Sequence, residues 1–105
     1  MQVNPDALSN VIESALSSVE GNRRWEKAIS RGARLIEEER CLPAADGSLI
    51  IFSESGHDYK TTAEDCRTGD EPCPATEKGF PCKHRAAFRL LAMVEEAEEA
   101  GETSH

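Results

Sequence analysis

Residues 66–84 read Cys66-Arg-Thr-Gly-Asp-Glu-Pro-Cys73-Pro-Ala-Thr-Glu-Lys-Gly-Phe-Pro-Cys82-Lys-His84, and they hold three of the four cysteines and one of the three histidines in the chain. Six residues separate the first two cysteines, eight separate the second from the third, and one separates Cys82 from His84. Thiol and imidazole groups on short, turn-rich loops are typical of a metal site. Zinc prefers four such ligands in a tetrahedron, with bonds of about 2.0–2.3 Å. The spacing therefore predicts one Zn²⁺ bound by Cys66, Cys73, Cys82 and His84.

The last two predicted ligands are separated by a single residue. On a continuous helix, residues two apart point away from each other. Cys82 and His84 can therefore reach one ion only if the cysteine precedes a helix and the histidine lies in its first turn. Pro81 favours an extended backbone before it, and the sequence from Lys83 onward is rich in good helix formers. We predict that a helix begins immediately after Cys82.

Two motifs in this stretch carry a resemblance to a known family. They are Cys-Pro-Ala, beginning at Cys73, and Gly-Phe-Pro-Cys-Lys-His-Arg-Ala-Ala, beginning at Gly79. Together they resemble the SWIM zinc finger, whose pattern is Cys-x-Cys, a spacer and then Cys-x-His, and the resemblance extends upstream to about Lys27. It implies that Cys73, Cys82 and His84 are the second, third and fourth ligands of the metal.

The first ligand is where this chain departs from the SWIM pattern. That ligand would fall at Glu71, whereas Cys66 stands five residues earlier, so we expect a lengthened loop that still brings Cys66 to the metal. Cys41 is interpreted as a buried thiol in a strand, and it is the alternative ligand if Cys66 does not bind. We expect His57, at a predicted turn, not to bind the metal, and the terminal His105 to be disordered.

The rest of the chain predicts an α+β fold. Its 105 residues suffice for one small domain, in which a structural metal supplements a modest core. Apolar residues recur at helical spacing over residues 6–19 and 23–39, and a further helix is predicted over 83–99 and ends at Gly101. Residues 40–62 carry short β-forming runs between turns, which predict three antiparallel strands. The expected architecture is N-terminal helices, a short antiparallel β-sheet, a zinc knuckle and a C-terminal helix.

We divide the chain into three parts. Residues 1–22 form an N-terminal helical segment, residues 23–101 form the SWIM-like zinc finger domain, and residues 102–105 form a disordered tail. Within the domain, residues 63–81 are expected to be the ligand loop. The apolar face of the helix at residues 6–19 either packs in the core or docks on a partner protein or a second copy of the chain.

Basic residues are concentrated in two segments of an acidic chain. The formal net charge is −8, yet residues 21–36 and residues 78–94 each carry +4, and the second segment contains no acid. In the helix at 23–39, basic residues step by three and four and share the side opposite the apolar stripe. They form either an ordinary solvated face or a stripe that contacts phosphate. The predicted nucleic-acid-binding residues are Arg24, Lys27, Arg31, Arg34, Lys83, Arg85 and Arg89.

The resemblance implies a function associated with DNA. SWIM fingers are similar to parts of transposases, Swi/Snf-type ATPases and recombination accessory proteins, where DNA contact is inferred. The alternative is a protein–protein interaction adaptor that makes no direct contact with DNA. An enzyme is not expected, because four protein ligands leave no open position on the metal for water. We also expect no small-molecule substrate.

The sequence also carries an expectation about location. The first residues include Asp6 and Glu13 and lack a basic segment followed by an apolar run, the pattern of a signal peptide. No apolar stretch approaches the length of a membrane span. We therefore expect no membrane partner and an intracellular location, in the cytoplasm, nucleoid or nucleus.

Overall fold

The computed structural model describes residues 3–53, 56–62 and 64–103, with side chains as far as residue 97. It confirms the α+β fold, with helices, one antiparallel sheet and a C-terminal helix. In chain order the elements are α1 (Pro5–Ser18), α2 (Arg23–Glu37), β1 (Cys41–Pro43), β2 (Leu49–Phe52), β3 (Asp58–Thr61), β4 (Cys66–Thr68), β5 (Glu71–Pro72), α3 (Pro74–Glu77) and α4 (Lys83–Thr103).

Asparagine caps define where the first two helices begin. The side-chain oxygen of Asn4 accepts a hydrogen bond from the backbone N–H of Asp6 at 2.9 Å, and that of Asn22 accepts one from Trp25 at 3.2 Å. Such caps satisfy N–H groups that have no partner inside the helix. Helix α2 ends at Glu37, earlier than predicted, and Glu39 takes a left-handed φ of 58°. That conformation ends the helix.

The sheet has five strands in the order β1-β2-β3-β4-β5, all antiparallel, rather than the three predicted. Strands β4 and β5 and the short helix α3 all fall in residues 63–81, which were predicted to be a loop. The pairing of Arg67 with Pro72 joins the two missed strands. Strands of three and two residues are too short to show the alternating pattern that identifies a strand in a sequence.

One core joins α1, α2, α4 and the inner face of the sheet. Leu49 and Ile51 of β2 are buried, whereas Phe52 is exposed, because successive side chains of a strand point to opposite faces. The apolar face of α1 also contributes to this core through three buried residues, which are Leu8, Val11 and Ala15. These three residues of α1 therefore pack in the core.

Helices α2 and α4 cross with their backbones in direct contact at Gly32. A Cβ atom at this glycine would lie 2.7 Å from the backbone nitrogen of Ala87 and 2.8 Å from the carbonyl oxygen of Lys83. Both distances are below van der Waals contact, so no side chain fits between the helices here. Because α4 begins at Lys83, the crossing holds α2 against the first two turns of α4.

Helix α4 continues through Gly101 to Thr103, so the prediction that the helix ends at Gly101 is wrong. The flanking Glu and Ala residues are good helix formers, and they outweigh the roughly 1 kcal/mol by which glycine disfavours a helix. Of the predicted tail, Glu102 and Thr103 are therefore helical, and residues 104–105 lie outside the described residues. None of the described helices combines the length and the apolar character needed to cross a bilayer.

Candidate metal centre

Cys66, Cys73, Cys82 and His84 form one buried cluster. Their ligand atoms all lie within 4.8 Å of one another. Cys66 opens strand β4, Cys73 is the N-cap of α3, Cys82 immediately precedes α4, and His84 lies in the first turn of α4. The predicted helix start after Cys82 is therefore confirmed. The lengthened loop does bring Cys66 to the other three residues, and the cluster could hold one metal ion.

The distances inside the cluster fit a tetrahedral site. The Sγ atoms of Cys73 and Cys82 are 3.4 Å apart, and Sγ of Cys82 is 3.3 Å from Nδ1 of His84. Four donors placed about 2.0–2.3 Å from an ion at the corners of a tetrahedron lie roughly 3.3–3.8 Å from one another. Three thiols and an imidazole also form a donor set that soft and borderline ions prefer. The donor types and these two distances therefore fit a single tetrahedral ion.

The ring of His84 is held in place by an aromatic neighbour. Tyr59, on strand β3, stacks on it with ring centroids 4.1 Å apart and an angle of 17° between the planes. The Nδ1 atom faces Cys82, while Nε2 is buried and has no hydrogen-bond partner in the described part of the chain. Nδ1 is therefore the nitrogen that this ring orientation offers to an ion.

Backbone hydrogen bonds connect the ligand positions to one another. The N–H of Cys73 donates to the carbonyl of Cys66 at 2.9 Å, and the N–H of Ala86 donates to the carbonyl of Cys82 at 3.0 Å. The N–H of Thr76 points to Sγ of Cys73 at 3.5 Å. The ligands are thus fixed by the strand and helix ends that carry them, which preorganises the site.

The cysteines differ in their affinity for protons. A hydrogen bond from the Cys66 thiol lowers the pKa of Cys82, and the neighbouring His84 ring and the backbone N–H of Arg85 lower that pKa further. The same hydrogen bond to Cys82, together with burial, raises the pKa of Cys66. Because metals bind thiolates rather than thiols, binding an ion here must release protons.

The alternative ligands lie elsewhere. Cys41 is buried in the core between the helices and the sheet, and burial raises its pKa to about 11, so the interpretation of Cys41 as a buried thiol is confirmed. His57 is exposed. Among the described residues, the group of three cysteines and His84 is the one set of His, Cys, Asp and Glu side chains placed to hold an ion.

Five of the seven predicted nucleic-acid-binding residues line two adjoining concavities beside the metal cluster. Their volumes are about 470 and 400 Å³, and Arg31, Tyr59, Lys83 and His84 line both. We call this combined surface the basic groove. Its basic residues are Arg24, Lys27, Arg31, Arg34 and Lys83.

The other two predicted residues do not line the basic groove. Arg89 extends over the ring of Trp25, with its guanidinium carbon 5.0 Å from the ring centroid. Arg85 is half-buried, and its backbone N–H faces Cys82. Lys83 and Arg85 are two residues apart and therefore project from different sides of α4. The basic segment of the sequence is thus divided between two surfaces.

The basic residues of the groove differ in their partners. Arg34 forms an ion pair with Glu38 at 3.2 Å, and Arg24 lies over the ring of Phe80 at 4.1 Å from its centroid. Lys27, Arg31 and Lys83 have no acidic partner within ion-pair distance among the residues that the structure describes. These last three carry the charge that is most available to an anion.

Three residues that shape this region were not identified from the sequence. They are Tyr59, Phe80 and Gly32, none of which was predicted to belong to the site. Phe80 lies two residues after Lys78 in the acid-free basic segment, and an aromatic residue among basic ones is a signal for nucleic-acid binding. A glycine in the middle of an otherwise regular helix is a signal for a close helix crossing.

Comparison with known proteins adds no further relationship. No protein-family model matches the chain, and neither a curated protein nor a solved structure matches it. The resemblance to the SWIM zinc finger therefore rests on the motifs at residues 73–75 and 79–87 and on the cluster they form.

Proposed function

We propose that this chain is a SWIM-type zinc module in which the four clustered side chains bind one structural Zn²⁺ and the basic groove binds nucleic acid. The observation that carries the proposal is the position of the groove, which shares Lys83 and His84 with the elements that form the metal cluster. Three thiolates, a neutral imidazole and Zn²⁺ sum to about −1. The neighbouring Lys83 and Arg31 offset that charge.

The donor set supports a structural rather than a catalytic zinc. Catalytic sites keep one coordination position for water, whereas structural sites are closed by four protein ligands. Here the four donors lie in β4, at the N-cap of α3, immediately before α4 and in the first turn of α4. Zinc would join these elements where the local apolar core is small, since the partly buried apolar side chains packed against the three cysteines are, among the described residues, Tyr59 and Ala75. We therefore propose no enzymatic activity.

The shape of the basic groove supports binding of a chain of phosphates rather than of a single anion. Arg24, Lys27, Arg31 and Arg34 follow one side of α2, and the ten helical steps from the first to the last span about 15 Å. A groove of this length lined by cations follows a nucleic-acid backbone by charge complementarity. The overall charge of −8 keeps such binding local to this face.

We expect the zinc-loaded protein to bind nucleic acid with a strong dependence on salt. Each neutralised phosphate releases counterions, so four contacts predict a slope of roughly −3 for log K against log[salt] with single strands. Arg31→Ala should weaken binding and reduce the slope by about 0.7 for a single strand or 0.9 for a duplex. Fluorescence anisotropy of labelled oligonucleotides, titrated at several salt concentrations, measures both quantities.

Lys60→Ala is the matched control for this prediction. It removes the same charge, but Lys60 projects from β3 on the side opposite to Tyr59, which lines the groove, and it pairs with Asp46. Equal losses for Lys60→Ala and Arg31→Ala would mean that the groove is not the binding surface. No binding of wild-type protein at about 50 mM salt, where electrostatic attraction is strong, would reject the nucleic-acid proposal and favour an adaptor.

A concavity separate from the basic groove supports the adaptor role as an alternative proposal. It has a volume of about 890 Å³, lies between α1 and the end of α2, and places Ile12 and Ile36 next to Glu37 and Glu39. Apolar walls with acidic edges fit a basic amphipathic helix. We expect a labelled Leu/Lys-rich helical peptide to bind the protein, and Ile12→Lys to abolish that binding in anisotropy titrations. The exposed Ser30→Lys adds the same charge, and an equal effect of that variant would contradict a specific groove.

A further inference from the structure

We infer that the basic groove binds single-stranded nucleic acid and holds an unstacked base against the paired side chains of Arg24 and Phe80. This inference rests on the proposed function, and it adds a substrate class that phosphate contacts alone do not define. Phe80 is 40% exposed and lines the groove together with Arg24, Lys27 and Lys83. An exposed ring surrounded by cations has no role in packing the core.

The Arg24–Phe80 pair has the geometry of a stacking platform. The guanidinium carbon of Arg24 lies 4.1 Å from the centroid of the Phe80 ring, which is the distance of a cation–π contact. Single-stranded nucleic acids are bound by aromatic rings and arginine planes on which bases stack, combined with basic residues that follow the backbone. The groove brings together all three groups, because Lys27, Arg31 and Lys83 provide the charges next to the pair.

The position of Phe80 is fixed by the turn that ends α3. The N–H of Phe80 donates to the carbonyl of Ala75 at 2.8 Å, and the N–H of Gly79 donates to Thr76 at 3.0 Å. Gly79 has a φ of 74°, so these two hydrogen bonds form a Schellman motif. The other end of α3 is capped by the ligand Cys73. The ligand loop (residues 63–81) thus holds the Phe80 ring in a defined position before any nucleic acid binds.

A single-stranded nucleic acid fits this platform better than a duplex or an acidic peptide does. In a duplex, the bases are paired and stacked internally, so only phosphates could reach the groove and Phe80 would gain nothing. An acidic peptide would satisfy the lysines and arginines but would offer no flat ring to Phe80. An unpaired nucleotide interacts with both parts of the groove, because its phosphate contacts the basic side chains and its base stacks on the Arg24–Phe80 pair.

The test compares three probes by anisotropy at low salt. They are a short oligo-dT strand, the same strand with abasic positions, and a duplex of equal length. We expect Phe80→Ala to weaken binding of the oligo-dT strand by roughly 5- to 150-fold, the range of a single base–aromatic stack. Binding of the abasic strand and of the duplex should not change. Phe80→Trp, which keeps an aromatic face, should retain tight binding of oligo-dT.

Phe52→Ala is the matched control. Phe52 is 41% exposed, close to the value for Phe80, but it points outward from β2 while its neighbour Ile51 points into the core. This variant should leave the binding of all three probes unchanged. Zinc content is measured for each variant, and Phe80→Leu, which keeps apolar volume in the turn, replaces Phe80→Ala if that variant loses metal.

Four outcomes have distinct meanings. A loss that is specific to bases supports the inference. If Phe80→Ala weakens the intact and abasic strands equally, or leaves the oligo-dT affinity unchanged, the inference is overturned while phosphate binding by the groove stands. If the wild-type protein binds none of the probes, the proposed function itself fails. If poly-glutamate displaces oligo-dT at an equal concentration of charge, the groove belongs to an acidic protein partner and the inference is overturned.

Discussion

Replacing Cys82 with serine is expected to abolish zinc binding and to unfold the segment from β4 to the start of α4. Cys82 is within 3.4 Å of the Cys73 sulfur and 3.3 Å of the His84 ring, so its loss removes the central donor of the cluster. Structural zinc sites contribute roughly 10–16 kcal/mol in zinc-finger peptides, which is comparable with the whole stability of a small domain. Zinc content and circular dichroism of the purified variant test the prediction.

Removing the metal from the wild-type protein should have the same effect. A chelator such as EDTA is expected to release one zinc per chain and to produce the spectrum of the Cys82→Ser variant. Cys66→Ser should also lose the metal. Cys41→Ser is the control, because it changes a buried thiol that lies in the other cluster of the core. If Cys41→Ser lost the metal and Cys66→Ser kept it, the assignment of the first ligand would be wrong.

Gly32→Ala should destabilise the zinc-loaded protein by roughly 1–3 kcal/mol, the usual effect of inserting atoms into a packed region. Alanine is normally the better helix residue by about 1 kcal/mol. Replacing a helical glycine by alanine therefore usually stabilises a protein, whereas Gly32→Ala is expected to destabilise this one. The added methyl group would lie less than 3 Å from backbone atoms of Lys83 and Ala87. Backbone atoms cannot relieve such a clash by changing rotamer, as a side chain can. Denaturant unfolding of the zinc-loaded protein measures the change.

Ser30→Ala serves as the control for this substitution. Ser30 is exposed in the same helix, and surface changes of this kind stay within about 0.5 kcal/mol. A Gly32→Ala protein as stable as the wild type would contradict this prediction, because it would show that α2 and α4 can move apart without a loss of stability. We also expect Gly32→Ala to weaken oligonucleotide binding while keeping its zinc, because the shift of α4 displaces Lys83 from the groove.

Local signals made much of this molecule predictable. The apolar periodicity located two helices, and the single residue between Cys82 and His84 located the start of a third. Each of these features depends on residues that are close in the chain. The ligand set followed from residue type and spacing in the same way, and the structure brings all four side chains together.

The features that escaped prediction depend on contacts between distant parts of the chain. Strands β4 and β5 form because a short turn brings them together and because β4 pairs with β3. Their five residues are too few to show a strand pattern in the sequence. Arg85 and Arg89 were grouped with Lys83 because they share a segment, but the 100° turn per helical residue places them on other sides. The crossing at Gly32 and the place of Phe80 beside Arg24 exist only in the folded chain.

The backbone contact at Gly32 also determines which partner must adapt on binding. Two helices whose backbones touch have little freedom to slide or tilt. In the interaction that we propose, the nucleic acid rather than this helix pair should therefore lose most of the conformational entropy on binding. Strands that stack strongly on themselves must first unstack, whereas pyrimidine strands are already flexible. If the proposed function holds, we expect the basic groove to favour pyrimidine-rich strands without reading any base edge.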